Sequence, residues 1–375
     1  MYRTILTNTE RILTKEKPPI ILIIGLRQVG KSTLAQSLCK KKPTVRFNFD
    51  LLSDIAEFTN QDRNTLELFA KKYSGHTIII DEVQKSQEAI GVIKHLYDTY
   101  HLRFILTGSS EIKIRQGIGD SLAGRVEEIK LYPLSLSEIN IQKGLDFDDR
   151  LEFNNFEENQ ALLLRYLVYG SLPQLLNIPD ADHISYLDNL TNNLLSKDVM
   201  EISGTRKPAQ VFHLAKLLAL QIGQIVNFNE LASETNISRV SVVNYIEIFE
   251  QMGLVMRANP ISTNKYESIT KRAKIYFTDI GIRNSLLNNF GDFKQRPDKG
   301  QLLENAVYVG IRRTLDYQNV KYELGFFRSL YGKEIDIVRK TVNKEDLFEI
   351  KVGRKTRVKK NITYIDLGNA QKYLY

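Results

Sequence analysis

Residues 20–33, with the sequence IILIIGLRQVGKST, limit the folds open to this chain more than any other stretch. The apolar residues 20–24 predict a buried strand, and GLRQVGKS then fits G-x-x-x-x-G-K-[ST] at every fixed position. Glycines in this pattern let backbone N–H groups turn inward around a phosphate, and the next helix directs its positive N-terminal end there. The alternative is a glycine-rich turn with an incidental lysine. The predicted nucleotide-binding residues are Gly25, Leu26, Arg27, Gln28, Val29, Gly30, Lys31, Ser32 and Thr33.

The phosphate-loop pattern assigns roles to two of these side chains. Lys31 would reach the β- and γ-phosphates of ATP, and Ser32 would supply a hydroxyl ligand to Mg²⁺. ATP and Mg²⁺ are therefore the predicted cofactors.

A second signature lies at residues 76–82, HTIIIDE, where an apolar β-branched run ends in two acids. Such a run is typical of a strand buried on both faces of a parallel sheet, and ligands collect at the C-terminal edge of such sheets. Asp81 is predicted to hold Mg²⁺, directly or through water, and Glu82 to activate the attacking water.

Three further polar residues are candidates for the same site. Thr107 and Ser109 end an apolar strand at residues 103–110, where either could sense the γ-phosphate, although an ordinary turn explains them equally well. Arg125 precedes another predicted strand and could neutralise transition-state charge, in cis or towards a neighbouring subunit. A surface ion pair is the alternative for Arg125.

Charge and composition suggest a partner class. The 375 residues include 52 basic and 44 acidic side chains, for a net charge of +8, which favours an anionic partner, with nucleic acid ahead of a membrane surface. A soluble lysine-rich protein is the alternative. One cysteine excludes an intrachain disulfide framework, and no run has the length of a signal peptide core or a membrane span, so we expect a cytoplasmic protein.

Several strings together resemble a known family. They are GLRQVGKST, TIIIDEVQK, FILTGSS, LAGRVEEIKLYPLSLSE, YGSLP, KIYFTDIG and GQLLEN. This combination resembles the AAA+-like ATPases of bacteria and archaea that carry a C-terminal domain of unknown function. The resemblance implies a doubly wound ATPase core, a small helical subdomain, a winged helix and a C-terminal module similar to PD-(D/E)xK nucleases.

The predicted fold class is α/β, in four parts. Residues 1–135 form a P-loop NTPase core with a parallel sheet, and residues 136–205 form a helical lid or, alternatively, an all-α linker without nucleotide contact. Residues 206–280 form a winged helix-turn-helix, and residues 281–375 form a small α+β restriction-endonuclease-like module. We expect that module to be shortened relative to the nucleases it resembles, because little chain follows Lys351.

The winged helix is predicted to contact nucleic acid through its wing rather than by base readout. Its recognition helix offers Arg239 and Asn244 but also Glu247 and Glu250, which phosphates would repel. A winged helix used only for protein packing is the alternative. The nucleic-acid candidates are Arg239, Lys265, Lys271, Arg272 and Lys274.

The C-terminal module carries a second constellation of acids. Asp336 lies on one predicted strand, and Glu349 and Lys351 share a face of the next. Two carboxylates and an ammonium at one edge could bind a metal and activate water, as the Asp…Glu-x-Lys pattern of PD-(D/E)xK nucleases does. The same resemblance makes Glu304 the helical acid of that site.

Taken together, these patterns favour a Mg-dependent ATPase whose nucleotide state controls nucleic-acid engagement, with DNA as the expected partner. Two alternatives stay open: an ATPase-regulated metal-dependent nuclease, and a nucleotide-switched protein-interaction module with little turnover. The second would involve a protein partner or self-association. No pattern predicts a membrane partner.

Overall fold

The structure is a computed structural model that describes residues 2–40, 42–59, 62–109, 122–144, 156–204, 207–261, 273–329, 334–353 and 361–374. The chain divides into two compact units. The first comprises Met1–Tyr132 and Gln251–Gly253, and the second comprises Pro133–Glu250 and Leu254–Tyr375. Among the described residues, no helix is both long and apolar enough to cross a membrane.

A five-stranded parallel sheet forms the centre of the first unit, in the order β2-β3-β4-β1-β5. Its strands are β1 (Ile20–Ile24), β2 (Thr44–Asn48), β3 (Thr77–Asp81), β4 (Arg103–Gly108) and β5 (Val126–Lys130). All residues of β1 and β3 are buried, as their unbroken apolar runs predict. The predicted parallel-sheet core is confirmed.

Five helices accompany this sheet in the described part of the first unit. They are α1 (Ile5–Leu13), α2 (Lys31–Leu38), α3 (Leu52–Thr59), α4 (Arg63–Lys72) and α5 (Glu88–Tyr100). The sequence of residues 54–73 predicts a single helix. That prediction is wrong. Two helices occupy that region, and the side chain of Asp62 caps α4 by accepting the Thr65 N–H at 2.8 Å.

The second unit begins with helices and continues into a sheet. Its helices are α6 (Leu136–Gln142), α7 (Phe156–Tyr169), α8 (His183–Asn193), α9 (Val199–Ser203), α10 (Pro208–Leu220), α11 (Phe228–Thr235), α12 (Arg239–Gln251), α13 (Ile280–Leu286) and α14 (Lys299–Tyr317). Ser135 and Glu138 form a capping box at the start of α6, and Asp279 caps α13. The described residues of the region predicted as a lid are thus mainly helical.

A seven-stranded sheet joins the last two predicted parts of the chain, in the order β12-β11-β10-β9-β7-β8-β6. Its strands are β6 (Ile225–Val226), β7 (Val255–Pro260), β8 (Ala273–Phe277), β9 (Tyr322–Arg328), β10 (Glu334–Thr341), β11 (Glu345–Ile350) and β12 (Thr363–Ile365). Strands β7 and β9 pair in parallel at Asn259 and Gly325. A Cβ on Gly325 would lie 2.0 Å from the Asn259 carbonyl oxygen, so glycine permits this close pairing.

The chain after Lys351 was expected to leave little room for both a helix and a further strand. The strand is present, because β12 pairs in parallel with β11 over three residues. A short 3-10 helix, Ala370–Tyr373, follows β12. The guanidinium of Arg313 on α14 donates to the Leu374 carbonyl at 2.6 Å and fastens this end to the unit.

Candidate nucleotide site and C-terminal acidic cluster

The phosphate loop runs from the end of β1 to the start of α2, and its backbone requires glycine at two positions. Gly25 has φ 151°, and a Cβ there would lie 2.3 Å from the carbonyl oxygen of Leu131. Gly30 has φ 93°, in the region that glycine adopts readily. Gln28 also has a positive φ, 65°, which is uncommon for a residue with a side chain. This tight turn places α2 immediately after the loop.

The side chains of the loop divide into packed and accessible groups. Leu26 and Val29 are buried, whereas Arg27, Gln28 and Thr33 are exposed. Ser32 is half-buried in the first turn of α2.

Lys31 lies over the loop rather than pointing into solvent. It is 6% exposed, and its Nζ donates to the carbonyl oxygens of Gly25 at 3.0 Å and Leu26 at 3.1 Å. The ammonium group therefore lies at the loop that is predicted to surround the phosphates.

The acids predicted for the site lie at the C-terminal end of β3, beside β4. Asp81 is 3% exposed and accepts a hydrogen bond from Thr107 Oγ1 at 2.9 Å. The backbone N–H of Glu82 donates to the same hydroxyl at 3.3 Å. Because β4 also pairs with β1, these residues lie at the sheet edge from which the phosphate loop emerges.

Glu82 is held by side chains that follow both strands. Ser109 Oγ donates to Glu82 Oε2 at 3.0 Å, and Gln84 Nε2 donates to the same oxygen and, at 3.1 Å, to Ser109 Oγ. Glu82 has φ 55°, a backbone conformation that costs energy in a residue with a side chain. The sequence reasoning missed Gln84, whose only signal was its place two residues after the acid.

Arg46 on β2 is the other residue of this candidate site that the sequence reasoning missed. Its Nε and Nη2 lie 2.7 Å and 2.5 Å from Asp81 Oδ2. The register of β2 and β3 pairs Asn48 with Asp81, so residues 46 and 48 share the face of the sheet on which Asp81 lies. That alternation, combined with strand adjacency, was the signal that could have found Arg46.

A magnesium ion fits this edge chemically. Asp81 and Ser32 offer the carboxylate and hydroxyl oxygens that Mg²⁺ prefers. The Arg46 side chain, which now balances the Asp81 charge, is 46% exposed and can leave at little cost. If Mg²⁺ binds at this edge, Asp81 would exchange the guanidinium for the metal ion.

The C-terminal acids lie in the second unit around a buried lysine. Lys274 on β8 has a side chain that is 1% exposed, and its Nζ lies 3.0 Å from Glu304 Oε1 and 2.9 Å from Glu334 Oε1. Tyr276 donates its hydroxyl to the same Glu304 oxygen at 2.6 Å. Lys274 was predicted to contact nucleic acid, and this was wrong, because its ammonium faces the interior.

The other predicted nuclease residues lie close by and also have partners. Asp336 Oδ2 accepts the N–H of Ile350 at 2.8 Å, and Glu349 Oε2 lies 3.1 Å from the ammonium of Lys351. Burial raises the pKa of Glu304 to about 7, against the opposing charge of Lys274. Burial likewise raises the pKa of Asp336. The structure therefore brings the four predicted residues close together, and Glu304, Glu334, Asp336 and Glu349 form one acidic cluster.

Family models match three successive stretches of the chain. Residues 17–140 match the model of an AAA domain. Residues 160–292 match the domain of unknown function DUF8612, and residues 299–374 match the domain of unknown function DUF4143. The first match covers the phosphate loop and the acids at the end of β3.

We refer to residues 17–140, which match this model, as the AAA domain.

Two relatives and one solved structure are similar to most of this chain. An uncharacterized protein of Methanocaldococcus jannaschii is 25% identical over 336 residues, which cover 82% of this chain and 70% of the relative. An uncharacterized protein of Mycobacterium tuberculosis is 24% identical over 340 residues, 89% of this chain and 70% of the relative. A Walker-type ATPase of Pyrococcus abyssi matches with TM-score 0.50 and 16% identity, over 76% of this chain and 94% of that one. The fold of the AAA domain is therefore that of a P-loop ATPase.

Arg125 lies at the wrong edge of the AAA domain for the role predicted in cis. Its carbonyl oxygen accepts the N–H of Ile20, at the start of β1, at 2.8 Å. The phosphate loop follows the other end of β1, and at 3.3 Å per residue the strand separates the backbone of Ile20 from that of Gly25 by about 16 Å. Its guanidinium forms a two-point ion pair with Asp98 at 2.7 Å and 2.9 Å. The alternative of a surface ion pair describes what the structure contains, and the role in cis was wrong.

The remaining nucleic-acid candidates lie in or after the helix-turn-helix segment. Arg239 is exposed at the first residue of α12, as is Asn244 further along the same helix. Glu250 is partnered by Arg257 at 2.9 Å. Lys265, Lys271 and Arg272 lie outside the described residues.

We expect Arg46→Gln to strengthen metal binding to the AAA domain. Without the guanidinium, Mg²⁺ no longer competes with Arg46 for Asp81, and an exposed ion pair of this kind is worth up to about 1 kcal/mol, or roughly fivefold in affinity. Electron paramagnetic resonance of Mn²⁺, in the presence of a non-hydrolysable ATP analogue, measures the change. Arg125→Gln is the matched control, because it removes an arginine–aspartate pair from the far edge of the same sheet. Equal Mn²⁺ affinity in the two variants would contradict the expectation.

Proposed function

We propose that this protein is a Mg-dependent ATPase whose nucleotide state controls engagement of nucleic acid. One observation carries the ATPase part: Asp81, Glu82 and Thr107 form a hydrogen-bonded group at the sheet edge from which the phosphate loop emerges. The AAA domain match and the fold of the Walker-type ATPase support it.

Each residue of the site has a task in this proposal. Backbone N–H groups of residues 25–30 and the N-terminal end of α2 bind the phosphates, and Lys31 turns its ammonium from the loop carbonyls to the β- and γ-phosphates. Ser32 and Asp81 would hold Mg²⁺, which supplies positive charge against the phosphate oxygens when bound. Glu82 accepts a proton from, or orients, the attacking water. Thr107 fixes the positions of the Asp81 carboxylate and the Glu82 backbone through its hydroxyl.

Two features support nucleic acid as the partner. The net charge is +8, and α10–α12 with β6–β8 have the order of helices and antiparallel strands that a winged helix requires. A polar groove lies beside the turn between α11 and α12, and its lining includes Lys207, Ser233, Asn236, Ser238 and Ser241. Hydroxyl, amide and ammonium groups of this kind are among the donors that bind phosphate oxygens.

DNA is therefore expected to stimulate ATP hydrolysis in a salt-dependent way. Phosphate release is measured with and without duplex DNA, between roughly 50 and roughly 200 mM salt, because each phosphate contact steepens the salt dependence. Arg239→Ala should weaken the stimulation. Arg63→Ala is the matched control, an exposed arginine at the first residue of α4 in the AAA domain. A rate of ATP hydrolysis that is the same with and without DNA at all salt concentrations would contradict the proposed control of nucleic-acid engagement and favour a protein partner.

A further inference from the structure

The acidic cluster of the second unit contains four carboxylates, and their negative charge needs to be balanced. Glu304 comes from α14, Glu334 and Asp336 from β10, and Glu349 from β11. Glu304 and Glu349 are each only 9% exposed. Carboxylates in such surroundings need a cation or several hydrogen-bond donors, since an unpaired buried charge is costly. The PD-(D/E)xK resemblance implies a divalent metal as that cation.

Lys274 already supplies the cation. Its ammonium bridges Glu304 and Glu334 at 3.0 Å and 2.9 Å, and it lies 5.3 Å from the ring centre of Phe326. Three donors of one ammonium group can serve both carboxylates at once. The hydroxyl of Tyr276 adds a further donor to Glu304.

The remaining two acids each have a protein partner on one carboxylate oxygen. Asp336 accepts the amide of Ile350, and Glu349 pairs with Lys351. Within the described part of the chain, no group of three or more His, Cys, Asp or Glu residues has the arrangement of a metal site. The residues do not fit a divalent ion.

We propose that Lys274 is a built-in cation that takes the place of a divalent metal in this cluster. The wild-type module then binds no Mg²⁺ or Mn²⁺ between Glu304 and β10, and it does not cleave nucleic acid by a metal-dependent route. The lysine also ties β8 to α14 and β10, so that it stabilises the sheet that joins these elements.

A comparison with Arg46 shows why one cation can be exchanged and the other cannot. The Arg46 side chain is 46% exposed and can turn into water when a metal approaches Asp81. The Lys274 side chain is 1% exposed, so its ammonium has no water to turn into if a metal takes its carboxylates, and it would remain a buried cation without a partner. Displacement by a metal is therefore disfavoured only in the C-terminal cluster.

Manganese binding tests the proposal directly. The full chain carries Asp81→Asn, to remove the other predicted metal site, and free Mn²⁺ is followed by electron paramagnetic resonance without nucleotide. With Lys274 intact, we expect no bound Mn²⁺ that depends on Glu304. With Lys274→Ala added, we expect one bound Mn²⁺, which is lost again when Glu304→Gln is also present.

Two results would overturn the proposal. One is Mn²⁺ that binds with Lys274 intact and is released by Glu304→Gln. The other is a folded Lys274→Ala chain that binds no Mn²⁺.

If Lys274→Ala does not fold, the stabilities of a single and a double variant test the proposal instead. Lys274→Met removes the cation alone, and Lys274→Met with Glu304→Gln removes one charge of each sign. We expect urea unfolding to show that the double variant recovers part of the stability that the single variant loses, because the more buried of the two carboxylates that Lys274 balances is then uncharged. A double variant that is no more stable than Lys274→Met would contradict the proposal that Lys274 balances the charge of Glu304.

Discussion

Glu82→Gln is expected to abolish ATP hydrolysis while ATP binding persists. The amide keeps the size of the carboxylate but cannot accept a proton from water, and loss of a general base costs about 10²- to 10⁴-fold in rate. The binding surface of the phosphate loop is untouched, because Glu82 lies after β3 and the loop lies after β1. Phosphate release measures the rate, and titration with a fluorescent ATP analogue measures the affinity.

Glu67→Gln is the control for Glu82→Gln. Glu67 lies in the same unit, on α4, where it is exposed and pairs with Lys71 at 2.8 Å. Its replacement should leave both turnover and affinity unchanged. If Glu82→Gln turned over ATP at the wild-type rate, Glu82 would not be the base, and the strained backbone at that position would have another cause.

Lys31→Ala is expected to weaken ATP binding itself. Hydrogen bonds to charged groups contribute about 1.5–3 kcal/mol, which corresponds to roughly 10- to 100-fold in affinity. The loss should appear in the dissociation constant of the ATP analogue, in contrast to Glu82→Gln. Lys40→Ala is the matched control, since Lys40 is an exposed lysine shortly after α2.

The two variants together separate binding from chemistry. A Lys31→Ala chain that binds ATP as tightly as the Lys40→Ala chain would mean that the glycine-rich loop is a turn with an incidental lysine. Thermal unfolding without nucleotide checks the folding of each variant, because Lys31 also donates to the carbonyl oxygens of Gly25 and Leu26.

The AAA domain could be predicted from the sequence because its signals are local. The phosphate loop lies within fourteen consecutive residues, 20–33, and the unbroken apolar run before Asp81 identifies a buried strand by itself. Glycine at positions 25 and 30 is required by the backbone, and that requirement is visible in the pattern. Local patterns of this kind do not depend on knowing which strands become neighbours.

Contacts between distant strands could not be predicted in the same way. Arg46 contacts Asp81 only because β2 pairs with β3, and the seven residues TVRFNFD do not indicate which strand becomes the neighbour of β2. Arg125 appeared suitable because it precedes a strand, but the start of a parallel strand is the edge opposite to the phosphate loop.

Lys274 shows the same limit for charge. Its neighbours in sequence, Lys271 and Arg272, suggested a basic wing that faces solvent. Its actual environment is set by Glu304 and Glu334, which lie 30 and 60 residues further along the chain. A charged side chain next to other charged side chains is read as exposed unless its distant partners are known.

The most direct test of the ATPase proposal is phosphate release by the full wild-type chain with ATP, in the presence and absence of Mg²⁺. We predict release that requires Mg²⁺ and that both Lys31→Ala and Glu82→Gln abolish. Tight ATP binding without release, with DNA present, would contradict hydrolysis and support a nucleotide-switched interaction module. Absence of both binding and release would contradict the account of the nucleotide site as a whole.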